Sequence, residues 1–172
     1  MTQKLIIIRG NSGSGKSTIA KRLQAEMGQG TMLIPQDIIR REILKTPDVP
    51  NNDVVELIYE LAMYGQTKGH NVIIEGILSK NKYGEMLGKL IDGFNGNAKI
   101  FYLDISFEET LRRHATKPAL KAKEFGEKEM RQWWKDKDYL GVKGETILPE
   151  SLSEDDLVQT ALASSGKRLE VQ

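Results

Sequence analysis

The chain has 172 residues, 39% of them hydrophobic, and its 25 Lys and Arg residues nearly balance its 24 Asp and Glu residues. This length and composition predict one globular domain over residues 1–172, with enough apolar side chains for a substantial core. The net charge of +1 argues against a dedicated duplex-DNA binder, which usually carries a clear basic excess. Because the chain has no cysteine, it has no disulfide, thiolate nucleophile or Cys-based metal site. No apolar run approaches the roughly 20 residues of a membrane span, and we expect a soluble, cytoplasmic protein.

The first motif lies between a short apolar strand and an amphipathic helix. The segment RGNSGSGKST, residues 9–18, satisfies the phosphate-loop pattern G-x-x-x-x-G-K-[ST]. A strand is predicted before it over residues 4–8, and a helix after it over residues 16–27. Glycines let successive backbone N–H groups point inward around an anion, and the helix N-terminus adds its positive dipole end. The residues expected to contact nucleotide phosphates are Gly10, Asn11, Ser12, Gly13, Ser14, Gly15, Lys16, Ser17 and Thr18.

Two side chains of this motif have distinct expected roles. The Lys16 ammonium group can reach the β- and γ-phosphates, and the Ser17 hydroxyl can ligate Mg²⁺. An accidental glycine-rich turn is the alternative, but the strand before and the helix after the motif disfavour it.

Beyond this motif, short apolar runs alternate with helical patterns. Strands are predicted over residues 31–35, 71–75, 99–105 and 145–148. Helices are predicted over residues 37–45, 52–68, 81–92, 107–115, roughly 124–135 and 154–164. This alternation predicts an α/β domain with a parallel sheet covered by helices on both faces.

The second predicted strand ends in the segment PQDIIRREIL, which contains Asp37 and Arg40. Ligands of an open parallel sheet bind beyond the C-terminal strand ends, so these two residues are expected beside the phosphate loop. The Asp37 carboxylate could accept the proton of an attacking hydroxyl, and Arg40 could bind an anionic group. A helix cap is an equally good interpretation of Asp37 from the sequence alone. Arg41 and Glu42 are expected on a solvated face.

Three segments together resemble a known superfamily. IIIRGNSGSGKST, QDIIRREIL and NVIIEGIL, in this order and spacing, resemble the P-loop kinases that include zeta toxins, polynucleotide 5′-kinases and chloramphenicol phosphotransferase. The resemblance spans nearly the whole chain and implies the sheet order 2-3-1-4-5, with ATP and Mg²⁺ as cofactors. In these kinases an Asp that closes the second strand deprotonates the acceptor hydroxyl, which is the role implied for Asp37. The catalytic residues that it implies are Asp37, Arg40 and Lys16.

The third predicted strand ends at Glu75, in the segment VIIEGILS. There it could hold a Mg²⁺-bound water, although many P-loop kinases carry Asp at the matching place. Asp104, at the end of the fourth strand, is the competing acidic residue, and its simpler role is to cap the next helix. We expect Ser17 and Glu75 to form the metal shell, because the resemblance places the third strand beside the first.

A Lys- and Arg-rich region over about residues 112–137 is the expected lid, a cationic flap that closes over ATP. A solvated pair of charged helices is the alternative. Arg113 is expected to stack on adenine and Lys117 to touch phosphates, with Arg131 as a further lid candidate. Trp133 and Trp134 are expected to anchor the base of the lid. His70 and His114 lack the spacing of metal ligands and are expected at the surface.

The helices over about residues 37–68 occupy the acceptor side in the related kinases, but they contain no polar cluster that identifies a substrate. The expected partners are therefore ATP and an unidentified acceptor with a hydroxyl group, which is a small molecule or a nucleic-acid 5′ end. Two alternatives remain open at this point: a nucleoside or nucleoside-monophosphate kinase of the uridine-kinase type, and a nucleotide-binding regulatory module without turnover. The sequence leaves the oligomeric state open.

Overall fold

A computed structural model describes residues 2–118 and 125–164 of the chain. Its strands form one parallel sheet in the order β2-β3-β1-β4-β5, which confirms the predicted order. The strands are β1 (Leu5–Gly10), β2 (Thr31–Pro35), β3 (Asn71–Gly76), β4 (Ala98–Asp104) and β5 (Glu145–Pro149).

The helices cover both faces of this sheet. They are α1 (Lys16–Met27), α2 (Gln36–Ile38, continued by a π-helical turn over Ile39–Leu44), α3 (Asp53–Thr67), α4 (Lys80–Gly93), α5 (Phe107–Ala115), α6 (Glu127–Trp133) and α7 (Glu154–Ser164). No helix in these described ranges is long and apolar enough to cross a membrane.

Two predicted helices differ from the structure. The regular helix expected over residues 37–45 is a single α-turn that widens into the π-helical turn. It ends because Lys45 adopts a left-handed backbone with φ 52°, and because the proline at position 47 has no amide hydrogen to donate. The lid helix expected over roughly residues 124–135 is only seven residues long, and it begins after Gly126, whose N–H donates to Glu129. Residues 119–124 of the expected lid lie outside the described part of the chain.

The central strand β1 is buried along its whole length, which explains its continuous apolar sequence. Leu5 and Ile7 pack with apolar side chains of α3 and α4, whereas Ile6 and Ile8 pack with those of α1 and α7. Each such side chain stabilises the fold by about 1.5–3 kcal/mol through burial. The core therefore consists of two layers, one on each face of the sheet.

This topology determines where a ligand can bind. The parallel strands β1, β2 and β3 all end at the same edge of the sheet, with Ile8 and Pro35 both in register with Glu75. The chain enters the phosphate loop directly after β1 and enters α2 directly after β2. Carboxyl ends of neighbouring parallel strands form the crevice in which open α/β sheets bind ligands.

Candidate active site

The phosphate loop has a backbone that only glycine can adopt at two of its positions. Gly13 and Gly15 have φ angles of 79° and 94°, in the left-handed region. A Cβ atom on Gly13 would also lie 2.8 Å from the carbonyl oxygen of Thr110, which is too close for any side chain. The loop therefore packs tightly against α5 and turns its backbone toward the start of α1.

Lys16 is buried at the floor of the loop, where 8% of the residue is exposed. Its Nζ atom donates a hydrogen bond of 2.7 Å to the carbonyl oxygen of Asn11. Burial lowers the pKa of Lys16 to about 8, and the nearby charge of Glu75 opposes this effect. An anion that binds in the loop would stabilise the charged ammonium form, so this lysine is suited to binding a phosphate group.

Ser17 and Glu75 lie together at the edge of the sheet. The Ser17 hydroxyl donates to Oε1 of Glu75 across 3.0 Å, and burial raises the pKa of this carboxyl group while the charge of Lys16 opposes the rise. Asp104, in contrast, accepts a hydrogen bond of 2.9 Å from the Tyr139 hydroxyl. Of the two acidic strand ends, Glu75 is the one that lines the cleft beside the loop. Its pairing with a hydroxyl provides the hard oxygen ligands that Mg²⁺ prefers.

Asp37 lies in the first turn of α2 and does not cap it. The helix begins at Gln36, and the residue at the cap position is Pro35. Oδ1 of Asp37 accepts hydrogen bonds from Arg40 Nη2 at 3.0 Å and from Arg41 Nε at 2.8 Å. Both bonds fall on the same oxygen, so neither guanidinium occupies Oδ2. The carboxylate is half-exposed and lines the cleft that also contains Lys16 and Glu75.

Arg41, expected on a solvated face, keeps 32% of its side chain exposed but also contacts the region of the expected lid. Its guanidinium carbon is 5.8 Å from the ring centroid of Phe125 and 5.8 Å from that of Trp133. These aromatic residues flank the lid helix α6, so Arg41 contacts the lid as well as Asp37. Hydrophobic periodicity cannot reveal this contact, because it joins segments that are distant in sequence.

Arg113, rather than its neighbour Arg112, faces the phosphate loop. Arg113 Nη1 donates to the carbonyl oxygen of Ser14 at 3.0 Å, while its Nε bonds Glu109 at 2.7 Å. Arg112 bonds the same Glu109 but its side chain is 69% exposed, against 26% for Arg113. Lys117 lines the cleft, and its Nζ atom lies 5.8 Å from the Phe125 ring centroid. Stacking of Arg113 on adenine stays a prediction.

Aromatic contacts hold the described parts of the lid together. Trp134 packs edge-on against Phe107 with a centroid distance of 5.2 Å, as expected of an anchor. Trp133 packs against Phe125 at 5.1 Å and also lines the cleft. Arg131 pairs with Glu127 and lies over Phe107, away from the residues that line the cleft.

The surface position expected for His114 was wrong. Its ring is buried and stacks on Phe125 with a centroid distance of 4.8 Å, and its Nε2 atom lies 2.9 Å from the Phe125 carbonyl oxygen. Because a carbonyl oxygen accepts only, Nε2 carries the hydrogen. The burial of Thr110 one turn earlier shows that this side of α5 faces inward, which the charged neighbours of His114 conceal in the sequence.

Two polar side chains, Arg9 and Asn11, connect the region of the phosphate loop to residues 135–138 at the end of the expected lid, and the sequence did not predict either connection. Asn11 donates to the carbonyl oxygen of Lys135 at 2.7 Å and accepts from its amide at 2.8 Å. Arg9 is fully buried, where it bonds the Leu78 carbonyl oxygen and forms an ion pair of 2.8 Å with Asp138. A charge at the end of a buried apolar strand requires buried partners. The position of Arg9 directly after the apolar run could therefore have predicted that it forms buried hydrogen bonds or ion pairs.

The cleft has a volume of about 740 Å³, which suits a nucleotide together with a small second ligand. Opposite the phosphate loop, Lys82 forms an ion pair of 2.9 Å with Asp48, and the amide of Gln36 bonds the Tyr83 hydroxyl at 3.2 Å. These residues come from α2, α4 and the loop after the π-helical turn. We name this group of residues, together with Asp37, Arg40 and Arg41, the acceptor wall, because the acceptor is expected on this side of the cleft.

A five-stranded parallel sheet in the order 2-3-1-4-5, with a phosphate loop after its central strand, gives this chain a P-loop kinase-like fold. More specifically, the chain belongs to the AAA domain family, whose model matches residues 5–136.

Several solved structures, two of them kinases by description, share the fold. The chain is similar to the APS kinase CysC of Mycobacterium tuberculosis in complex with AMPPNP and APS, with 19% identity, coverage of 96% of this chain and 99% of that chain, and a TM-score of 0.70. A gluconokinase of Sinorhizobium meliloti has 18% identity, coverage of 96% of this chain and 93% of that chain, and a TM-score of 0.64. The tunicamycin resistance protein of Deinococcus radiodurans has 17% identity, coverage of 95% and 96%, and a TM-score of 0.62. No functionally curated protein matches the sequence significantly.

Proposed function

We propose that this protein is an ATP-dependent phosphotransferase that transfers the γ-phosphoryl group of ATP to a hydroxyl group of a small molecule. The observation that carries the proposal is the position of Asp37, whose carboxylate shares one cleft with Lys16 and Glu75 and leaves Oδ2 free of both arginines. A kinase for alcohols needs a base opposite its phosphate site, and a module that only binds nucleotides does not.

The proposed reaction needs one proton acceptor and several phosphate ligands. The acceptor hydroxyl oxygen forms a bond to the γ-phosphorus, the bond from that phosphorus to the β–γ bridging oxygen breaks, and ADP leaves. The hydroxyl proton passes to Oδ2 of Asp37. Lys16 and the loop amides hold the β- and γ-phosphates, and their preorganised charge stabilises the transition state. Arg40 orients the Asp37 carboxylate through its bond to Oδ1.

Ser17, in the first turn of α1, and Glu75, at the end of β3, fit a magnesium ion. Ser17 supplies a hydroxyl and Glu75 a buried carboxylate, 3.0 Å apart at the edge of the cleft. We assign Ser17 as a direct ligand and Glu75 as the residue that holds a metal-bound water. Bound there, Mg²⁺ would neutralise charge on the β- and γ-phosphates.

The charges of the acceptor wall favour a small molecule over a nucleic-acid end or a nucleoside monophosphate. Arg40 and Arg41 share Asp37, and Lys82 pairs with Asp48. An acceptor that carries a phosphate would compete with these carboxylates for the same cations, at the cost of breaking the ion pairs. Gln36, Tyr83 and Asp48 instead offer neutral and anionic groups that suit the hydroxyl groups of an acceptor.

An acceptor screen with γ-labelled ATP tests the proposed function. The panel comprises sugars, amino sugars, hydroxyl-bearing antibiotics, nucleosides, nucleoside monophosphates and oligonucleotides with a 5′-hydroxyl group. Lys16→Ala is the matched inactive control, because it retains the fold-determining glycines of the loop. We expect labelled product from at least one small alcohol with the wild type and none with Lys16→Ala. Labelling confined to monophosphates, or no transfer to any acceptor despite ATP binding, would contradict the proposal.

A further inference from the structure

Arg41 contacts the acceptor wall and the lid at the same time. On one side its Nε atom donates to Oδ1 of Asp37 at 2.8 Å. On the other side its guanidinium carbon lies 5.8 Å from the ring centroids of both Phe125 and Trp133. The guanidinium group therefore bridges the carboxylate on α2 and an aromatic pair that flanks α6.

The aromatic pair is itself held in place. Phe125 stacks on the buried ring of His114 at 4.8 Å, with 24° between the planes, and packs edge-on against Trp133 at 5.1 Å. A planar guanidinium against aromatic faces is a favourable cation–π arrangement, and Arg forms it more often than Lys. The expected lid thus presents an aromatic surface whose electrostatics match the Arg41 side chain.

Arg40 differs from Arg41 in this respect. It bonds the same Asp37 oxygen at 3.0 Å, but its side chain is more deeply buried, and among the described residues the guanidinium that lies over Phe125 and Trp133 is that of Arg41 and not that of Arg40. Arg40 can therefore hold the Asp37 carboxylate whatever the position of the lid. Arg41 can hold this carboxylate in a fixed geometry only when Phe125 and Trp133 lie against the Arg41 side chain.

We infer that Arg41 is a positioning residue that makes the orientation of Asp37 depend on the lid, through Phe125 and Trp133. This inference rests on the proposed role of Asp37 as the base. With the lid against Arg41, the two guanidinium groups occupy Oδ1 together and direct Oδ2 toward the acceptor. With the lid displaced, Arg41 loses its aromatic support and Asp37 is held by Arg40 alone. Proton transfer to Asp37 is then efficient only while the lid covers the nucleotide.

A double-mutant cycle on Arg41→Ala and Trp133→Leu tests this coupling. The readout is single-turnover cleavage of MgATP with water as the acceptor, so that no acceptor needs to be known. We expect each single variant to lower the rate roughly tenfold while the KM for ATP changes less than about threefold, because the contact acts on Asp37 and not on ATP. The double variant should be no slower than the slower single variant, since both changes break the same connection. Trp133→Phe, which retains an aromatic face, should recover most of the rate.

Arg131→Ala is the matched control, because Arg131 is also a lid arginine over an aromatic ring, 4.3 Å from the Phe107 centroid, yet has no contact with Asp37. In the double variant of Arg131→Ala and Arg41→Ala, the fold reduction of the rate should equal the product of the two single reductions. Thermal melts of every variant show whether it is folded. Rate losses from Arg41→Ala and Trp133→Leu that multiply, or a change in KM alone, would overturn the coupling.

Asp37→Asn in the same assay separates this inference from the proposed function. If Asp37→Asn slows cleavage strongly but Arg41 and Trp133 act independently, the base assignment stands and only the coupling is wrong. If Asp37→Asn has no effect, both the base assignment and the coupling are overturned. A readout that does not depend on turnover is the change in Trp133 emission on AMPPNP binding, measured in a Trp134→Phe background. We expect Arg41→Ala to alter this change and Arg131→Ala to leave it intact.

Discussion

The Ser17 hydroxyl donates a hydrogen bond of 3.0 Å to Oε1 of Glu75, and this bond joins the first turn of α1 to the end of β3. Glu75→Gln retains the size of the side chain and an acceptor for Ser17, but it removes the negative charge. We expect the Mg²⁺ concentration for half-maximal turnover to rise about tenfold, as for the loss of a residue that supports a metal site. A magnesium titration at saturating ATP measures it.

Asp104→Asn is the control for this titration, because Asp104 closes β4, on the other side of β1 from β3, and accepts its hydrogen bond from Tyr139. Its Mg²⁺ requirement should equal that of the wild type. Burial raises the pKa of Glu75, so the ionised carboxylate is disfavoured in the folded protein and Glu75→Gln should melt no lower than the wild type at pH 8. If the Mg²⁺ requirement rose more in Asp104→Asn than in Glu75→Gln, the assignment of the metal site to Glu75 would be wrong.

Lys16→Ala should abolish phosphoryl transfer and weaken ATP binding. Its ammonium group lies at the floor of the loop, where the loss of a comparable preorganised donor costs about 3–4 kcal/mol of transition-state stabilisation. Turnover measured over a range of ATP concentrations gives both effects. Normal turnover in a folded Lys16→Ala protein would disprove the phosphate-loop assignment.

ATP binding should take up a proton at Lys16. Burial lowers the pKa of this group to about 8 in the free protein, so at pH 8 about half of the molecules carry a neutral lysine. Bound phosphates favour the charged form and raise the pKa, so binding at pH 8 should take up about half a proton per ATP, with more uptake above this pH and little near pH 6. Affinity should accordingly fall as the pH rises above 8.

Calorimetry in two buffers of different ionisation enthalpy measures this uptake. Lys16→Met should abolish the proton uptake at pH 8 that comes from the lysine. Any proton uptake or release by the nucleotide's own groups should remain. Equal binding enthalpies in both buffers for the wild type at pH 8 would show that no net proton is taken up, and would contradict the proposed protonation of Lys16.

Arg113→Ala should raise the KM for ATP by up to about tenfold, because a cation–π contact with adenine would be lost. Arg112→Ala should have less effect, since Arg112 is more exposed and its described bonds go to Glu109. Steady-state kinetics of both variants provide the comparison. Equal effects, or a larger effect of Arg112→Ala, would mean that the wrong arginine of the pair was chosen.

The sequence predicted those parts of the site that depend on local patterns. The spacing of Gly10, Gly15 and Lys16 determines the loop. The placement of Glu75 beside this loop depended on the resemblance, which put the third strand next to the first. The strand order came from the resemblance to a superfamily, because alternation of strands and helices is compatible with other orders.

The contacts that the sequence did not reveal are long-range ones. Asn11 bonds Lys135, 124 residues further along the chain, and Arg41 reaches Phe125 and Trp133. Such pairs depend on how the lid folds back over the sheet, and a periodicity of 3.6 residues contains no information about it. His114 was misplaced because its charged neighbours conceal the inward-facing side of α5, and because its stacking partner Phe125 lies outside that helix.

Single-turnover transfer by Asp37→Asn tests the central claim most directly. The substitution retains the size of the side chain and an oxygen for the bonds from Arg40 and Arg41, so the variant should fold, as thermal melts can verify. It removes only the capacity to accept a proton, and a positioned general base contributes about 10²–10⁴-fold. We expect the rate of transfer to a hydroxyl acceptor to fall by about this factor while ATP affinity stays nearly unchanged. A folded Asp37→Asn protein that transfers phosphate within about threefold of the wild-type rate would contradict the assignment of Asp37 as the base, and with it the hydroxyl-kinase function.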